Sequence, residues 1–100
     1  MTINYNLNIV TTTPYAVQDT DEVIFVNVPS GSSIVLPTVA VGKYTGYYIK
    51  DFSGNAKLNP IIITATSGAT INGVSFAILN VDYSHIQVIW DGSNWQTLTN

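Results

Sequence analysis

The fold class is decided by one stretch near the carboxyl end, Ile86-Gln-Val-Ile-Trp-Asp-Gly-Ser-Asn-Trp-Gln-Thr-Leu98. In its first half, Ile86, Val88 and Trp90 occupy alternate positions and so share one face of a strand. Asp-Gly-Ser-Asn follows and is typical of a turn, because aspartate and asparagine bond their own backbone and glycine accepts positive φ. A second strand begins at Trp95. The stretch therefore predicts a β-hairpin in which Trp90 and Trp95 pack on each other across the turn.

Two other apolar patterns predict which strand residues are buried. Ile3, Tyr5, Leu7 and Ile9 alternate with polar residues, which is typical of a half-buried strand. Ile61-Ile-Ile-Thr-Ala65 has no alternation, which favours burial on both faces.

The rest of the chain indicates a single all-β domain over residues 1–100. Asn72-Gly73 is a strong hairpin signal, because both residues tolerate positive φ, and no stretch shows helical spacing or an internal repeat. About eight to ten short strands favour a compact β-sandwich, a barrel-like fold or an interlocked β-prism. The further predicted strands are Tyr15–Val17, Val23–Asn27, Ser33–Leu36, Gly46–Lys50 and Ser75–Asn80.

The composition excludes several classes of protein. Charged residues make up 9% of the 100 residues and the net charge is −3, so no basic patch is available for nucleic acid. No apolar run approaches the ~20 residues of a membrane-spanning helix, and the lack of cysteine excludes disulfides and thiolate metal sites. Typical domains are about 25% charged. So few charges favour self-association over the alternative, a monomer with a Thr- and Asn-rich surface.

An ordered set of short motifs resembles a small all-β domain that recurs in phage tail fibres and other viral structural proteins. The resemblance covers about residues 14–98. Its motifs are Tyr15-x-Val with Thr20-Asp21-x-Val-Ile24, Ile34-Val-Leu-Pro37, Gly42-Lys43, Tyr48-Ile-Lys-Asp51, Ser53-Gly-Asn-Ala56, Ile61-x-Ile63, Thr70-Ile-Asn-Gly73 and Ile89-Trp-Asp-Gly-Ser-Asn-Trp95.

The resemblance implies a non-enzymatic homotrimer located in the virion, with other virion proteins as partners and host-surface glycan as a further one. The expected roles are particle assembly, stabilisation or host attachment. Two settings stay open: a stand-alone capsid decoration or spike protein, slightly favoured by the short chain, and a fragment of a longer tail fibre.

Catalytic chemistry finds little support in the residues, and no catalytic residue is predicted. His85 is the sole imidazole, and Ser84 beside it points to the opposite face if both lie in a strand. Asp51, Asp82 and Asp91 adjoin turn residues, where aspartate ordinarily bonds local backbone; a glycosidase pair is therefore disfavoured.

Metal and cofactor sites are likewise not expected. Asp19, Asp21 and Glu22 could bind Ca²⁺ through carboxylate oxygens, but they lack the glycine and distal glutamate of an EF-hand. The resemblance implies that this corner is a structural turn in which Asp21 satisfies backbone amides. Three copies of His85 on a three-fold axis could bind a transition metal; a partly exposed strand histidine is the favoured interpretation.

The alternative function is a carbohydrate-binding β-sandwich, because tyrosine and tryptophan rings can stack on sugars. Aromatic residues at alternating strand positions are more often core or subunit interface, and we favour that for Trp90 and Trp95. Tyr44, Tyr83 and Asn94 are the predicted exposed contact residues.

Overall fold

The computed structural model describes residues 5–40 and 42–98, and within them the chain forms nine β-strands and no helix. The all-β prediction is confirmed. No segment of those ranges is a helix long and apolar enough to span a membrane. The strands are β1 Leu7–Val10, β2 Tyr15–Ala16, β3 Val23–Val26, β4 Ser32–Val35, β5 Thr45–Asp51, β6 Ile61–Thr64, β7 Phe76–Leu79, β8 His85–Trp90 and β9 Trp95–Leu98.

The described strands form two mixed sheets. Sheet A has the order β1-β3-β5-β8-β9, and sheet B has the order β2-β4-β6-β7. From β1 to β6 the chain alternates between the sheets, so that β1, β3 and β5 pair in parallel in sheet A while β2, β4 and β6 pair in parallel in sheet B. The β6–β7, β5–β8 and β8–β9 pairs are antiparallel. The backbone therefore repeats a two-strand unit three times, although the sequence shows no repeat.

Each of the four prolines lies in a connection that carries the chain from one sheet to the other. Pro14, Pro29 and Pro60 precede β2, β4 and β6, and Pro37 lies between β4 and β5. Proline has no N–H to donate to a ladder, so these connections are poorly suited to hairpins. The chain crosses to the other sheet instead.

The core lies between the sheets and is organised around Trp95, which is fully buried. Trp90 meets Trp95 edge-on, with the ring centroids 5.3 Å apart, as the hairpin sequence predicted. Tyr47 also packs against Trp95, with the two ring centroids 5.9 Å apart. Both tryptophans are buried in the core, as we expected for aromatic residues at alternating strand positions.

A buried carboxylate, that of Asp51, joins the end of β5 to the turn before β8. It accepts hydrogen bonds from the backbone amides of Gly54 (3.2 Å), Ala56 (3.0 Å) and Tyr83 (3.0 Å) and from the Ser53 hydroxyl (3.1 Å). Tyr83 has a φ of 61°, a conformation uncommon outside glycine, and its bond to Asp51 helps to hold it. The carboxylate thus supplies the acceptors that two turns lack.

The orientation predicted for the first strand is wrong. Leu7 and Ile9 point away from the core and are 50% and 48% exposed, while Val10 is buried and Asn8 is half-buried. Ile3 of the same pattern lies outside the described residues. The register explains the orientation: Asn8 pairs with the buried Ile24, so the polar set of this strand faces inward.

Burial of Ile61–Ala65 on both faces is also contradicted. Ile61 and Ile63 are buried in the core, but Ile62 points outward and is 41% exposed. The core covers only the inner side of sheet B, so Ile62 on the outer side stays exposed to solvent in the described part of the chain. A strand whose sequence is typical of burial on both faces therefore has one of its faces exposed in the isolated chain.

We predict that Asp51→Asn lowers the free energy of unfolding by roughly 3 kcal/mol, because the amide has one acceptor oxygen and directs N–H groups at donors that then stay unsatisfied. Urea denaturation followed by tryptophan fluorescence measures this. Asp82→Asn is the matched control, since this exposed carboxylate accepts one hydrogen bond, from the Lys57 amide (2.9 Å), and should cost less than about 1 kcal/mol. Equal losses for the two variants would contradict the special role of Asp51.

Candidate functional site

The aspartates that we considered as catalytic acids accept hydrogen bonds from backbone amides in turns and connections. Asp91 accepts hydrogen bonds from the Asn94 and Ser93 amides at 2.9 and 3.0 Å and from the Gln96 side chain at 3.0 Å. These bonds, that from the Asn94 amide foremost, lower the pKa of Asp91 from 3.8 to about 2. A carboxyl group ionised so readily is poorly suited to donate a proton near neutral pH.

Hydrogen bonds from turn residues also lower the pKa of Asp51, whose carboxyl group lies in the interior of the protein. Burial by itself raises the pKa of its carboxyl, but the hydrogen bonds from Tyr83, Ala56, Ser53 and Gly54 outweigh burial and leave the pKa below its ordinary value. These hydrogen bonds stabilise the ionised carboxylate, and its burial keeps it out of reach of a substrate.

The acidic corner is built as a structural turn. Asp21 accepts hydrogen bonds from the Gln18 amide (2.9 Å) and the Tyr15 hydroxyl (2.6 Å), and Glu22 accepts one from the Asn6 amide (3.1 Å). Burial and the Asp21 carboxylate raise the pKa of Tyr15 to about 12. Across residues 5–40 and 42–98, no three His, Asp or Glu side chains converge as metal ligands.

His85 lies on the outer side of sheet A. It pairs in register with Lys50, and Ser84 precedes the strand, with a buried hydroxyl that has no partner among the described residues. A lysine on the neighbouring strand disfavours a metal cation at three converging copies of His85; that site stays an untested hypothesis.

The predicted contact tyrosines are exposed and lie at opposite ends of β5. Tyr44 immediately precedes this strand and is 77% exposed; Tyr83 is 62% exposed, and its ring packs over Gly54, beyond the strand's other end. Seven residues separate the two ends by about 23 Å. Their exposure is confirmed, and their role in contacts stays a prediction.

Asn94 is half-buried, so the exposure predicted for it is wrong. Its side-chain oxygen accepts hydrogen bonds from the amide and the hydroxyl of Thr70, at 2.9 and 3.2 Å. The residue joins the last turn to the connection between β6 and β7, and only its amide nitrogen is left for another molecule.

The outer side of sheet B, which we call the B face, is apolar. Its apolar members stand next to one another in register, since Ile62 pairs with Ile78, and Val35 and Phe76 both pair with Thr64. Ile62, Phe76 and Ile78 are between 41% and 46% exposed. The described residues of this face include no charged side chain.

The outer side of sheet A, the A face, is also largely apolar. Leu7 pairs with Val23 and Val23 with Tyr48 in one row, and Ile9 pairs with Phe25 in the next. Phe25 stacks on Phe52 at 5.2 Å. Lys50 and His85 are register partners in the second row, and the described residues of the first row carry no charged side chain.

A cleft opens near the Tyr44 end of β5, where three connections meet. It has a volume of about 410 Å³, and hydroxyl side chains and Trp90 line it. We call it the loop-end cleft; the lining residues used below are Thr38, Thr66, Ser67, Trp90, Ser93 and Asn94.

Sequence reasoning named Asn94 from this cleft but missed Thr38, Thr66 and Ser67. Single threonines and serines in connections carry no local signal of a shared cavity. Comparison with known proteins gives no match to the chain, either among protein-family models or among curated proteins.

We predict that stability falls as the pH drops from about 4 to about 2. Asp91 and Asp51 have lowered pKa values in the folded chain, so the unfolded chain binds protons first and acid favours unfolding. Carboxyl-carbon NMR should give Asp91 a pKa of about 2, and Asp91→Asn should reduce the fall in the urea midpoint over this range. An Asp91 carboxyl titrating near 3.8 would contradict the turn geometry.

Proposed function

We propose that this protein is a non-enzymatic structural module of a virion, which self-associates into a homotrimer and acts in particle assembly, stabilisation or host attachment. One observation carries the proposal: apolar residues that the sequence patterns assign to a buried surface lie uncovered on the A face and the B face. Ile62 and Leu7 are the clearest examples.

The exposed area has an energetic consequence. Fully burying a large aliphatic or aromatic side chain contributes about 1.5–3 kcal/mol, so covering a half-exposed one contributes roughly 1 kcal/mol. Several such residues on each face offer enough for association of identical chains. The low content of charged residues removes the repulsion and desolvation that usually keep such faces apart.

Two different apolar faces on one chain favour a head-to-tail assembly, which forms a ring when the rotation between neighbouring subunits closes. In a ring, a patch of one subunit contacts a different patch of the next subunit, whereas a two-fold dimer uses one patch twice. The A face and the B face lie on different sheets and differ in composition, so contact between A and B faces is the arrangement that we propose. A three-membered ring matches the trimer implied by the resemblance.

The non-enzymatic part is supported by the polar groups. The carboxylates of Asp51, Asp91 and Asp21 are all acceptors within turns, and His85 has Lys50 as its register neighbour. The virion as the location, and other virion proteins as partners, rest on the ordered motif set, whether the chain acts as a decoration or spike subunit or as a fibre module.

We predict a solution mass near three times the 10.8 kDa of the chain, measured by light scattering after size-exclusion chromatography. Ile62→Glu should yield a monomer, because an unpaired charge in an apolar interface costs several kcal/mol. Leu58→Glu is the control, since Leu58 is 85% exposed in a connection away from both faces, and it should leave the trimer intact. A monomeric wild-type chain at micromolar concentration would overturn the proposal.

Mixing two variants tests which faces meet. Tyr48→Glu disables the A face and Ile62→Glu disables the B face, so each is expected to be monomeric alone. Their equimolar mixture retains one intact A face and one intact B face, and light scattering should show a heterodimer. If either variant alone remains dimeric, each face pairs with its own copy and the proposed A-to-B contact is wrong.

A further inference from the structure

The loop-end cleft combines a hydroxyl rim with an aromatic floor. Thr38 Oγ1 lies 2.9 Å from Ser67 Oγ and 3.3 Å from Thr66 Oγ1, so these three hydroxyls form one hydrogen-bonded group. Trp90 lines the same cleft from the core side. Its volume of about 410 Å³ falls within the roughly 300–1,000 Å³ typical of small-molecule sites.

The lack of charged side chains in the cleft favours an uncharged ligand. Every described residue that lines it is uncharged, so an ionic ligand would lose hydration without gaining an ion pair. A hydroxyl both donates and accepts, and a group of hydroxyls therefore matches a ligand that is itself rich in hydroxyls.

Two residues that line the cleft, Trp90 and Asn94, each carry a side-chain N–H group with no acceptor in the described part of the chain. The Asn94 oxygen is engaged by Thr70, whereas none of the described residues accepts a hydrogen bond from the Asn94 Nδ2. The indole N–H of Trp90 is buried and likewise has no acceptor in the described part of the chain. Unpaired donors of this kind are costly unless a ligand or water satisfies them.

An exposed ring extends the cleft along the surface. Tyr44 lies against the last turn, with its Cε1 3.7 Å from the place that a Cβ on Gly92 would occupy, and Gly92 adjoins Ser93 of the cleft. A second hollow of about 450 Å³ shares Thr38 with the cleft; Tyr44 and Tyr47 line it, together with the charged residues Asp19 and Lys43. A ligand longer than one sugar ring can reach from the cleft to the Tyr44 ring.

We infer that the loop-end cleft binds a neutral oligosaccharide, with sugar hydroxyls at the rim and a sugar ring against Tyr44. Stacking on tryptophan is not part of this site, since both tryptophans are buried. The role of such binding in host attachment rests on the proposed function, whereas the binding itself does not.

The test is a titration of the ¹⁵N-labelled full chain with maltotriose, cellotriose and chitotriose, each to about 10 mM, which detects dissociation constants in the millimolar range. At least one sugar should shift the Trp90 indole and Asn94 side-chain amide signals saturably. The chain has two tryptophans, so the indole signal of the core residue Trp95 is the internal control. If none of the three sugars shifts the cleft signals, or if both indoles shift equally, the inference is overturned.

Variants locate the site. Asn94→Asp retains the oxygen that accepts from Thr70 but removes the Nδ2 donor, and it should weaken binding about tenfold, the equivalent of 1.4 kcal/mol. Tyr44→Ala should weaken it several-fold. Tyr83→Ala removes another exposed ring, at the other end of β5, and should leave binding unchanged. If Tyr83→Ala weakens binding and Tyr44→Ala does not, the site lies elsewhere.

Light scattering on the same variants separates the two proposals. Neither Asn94 nor Tyr44 belongs to the A face or the B face, so their substitution should leave the oligomeric mass unchanged. A trimer that binds no sugar overturns this inference alone, and a monomer that binds sugar overturns the proposed function alone.

Discussion

The four hydrogen bonds to the buried carboxylate of Asp51 fix the strand on which both halves of sheet A depend. On one side of β5 lie the parallel strands β3 and β1, and on the other lie the antiparallel strands β8 and β9. Because Asp51 accepts from the Tyr83 amide, it sets where β8 begins relative to the end of β5, and so fixes the Lys50–His85 register. A slip of one residue would turn the core side chains of β8 outward.

Turns could be predicted from the sequence because their chemistry is local. Asn72-Gly73 has the positive φ values that its residues suggested, and Asp91 bonds its own turn. Strand neighbours could not be predicted, since β1 pairs with β3 rather than with β2, and this crossing depends on contacts far apart in the chain. The role of Asp51 was hidden for the same reason: its partner Tyr83 is 32 residues away.

The apolar periodicity of the sequence predicted which strands carry apolar residues typical of burial. It did not predict whether those residues face the core of their own chain or its outer surface. Leu7 and Ile62 carry patterns typical of a core, yet both lie on outer faces. An alternating strand has two possible orientations, and the parallel register with β3 chooses the one that buries Val10. A sequence cannot distinguish burial within one subunit from burial between subunits, because the hydrophobic effect depends on area removed from water and not on connectivity.

The architecture allows self-association and ligand binding to coexist. The A and B faces are the outer sides of the two sheets, while the loop-end cleft lies among connections beyond the strand ends, so covering the faces leaves the cleft open. The two regions also differ in chemistry. In the proposed assembly, side chains such as Ile62 are removed from water by an identical chain, whereas hydroxyls such as Ser67 and the amide of Asn94 lose hydrogen bonds on burial unless a ligand replaces them. The proposed assembly therefore covers the two faces and leaves the hydroxyl-lined end in contact with water, where the proposed sugar ligand can reach it.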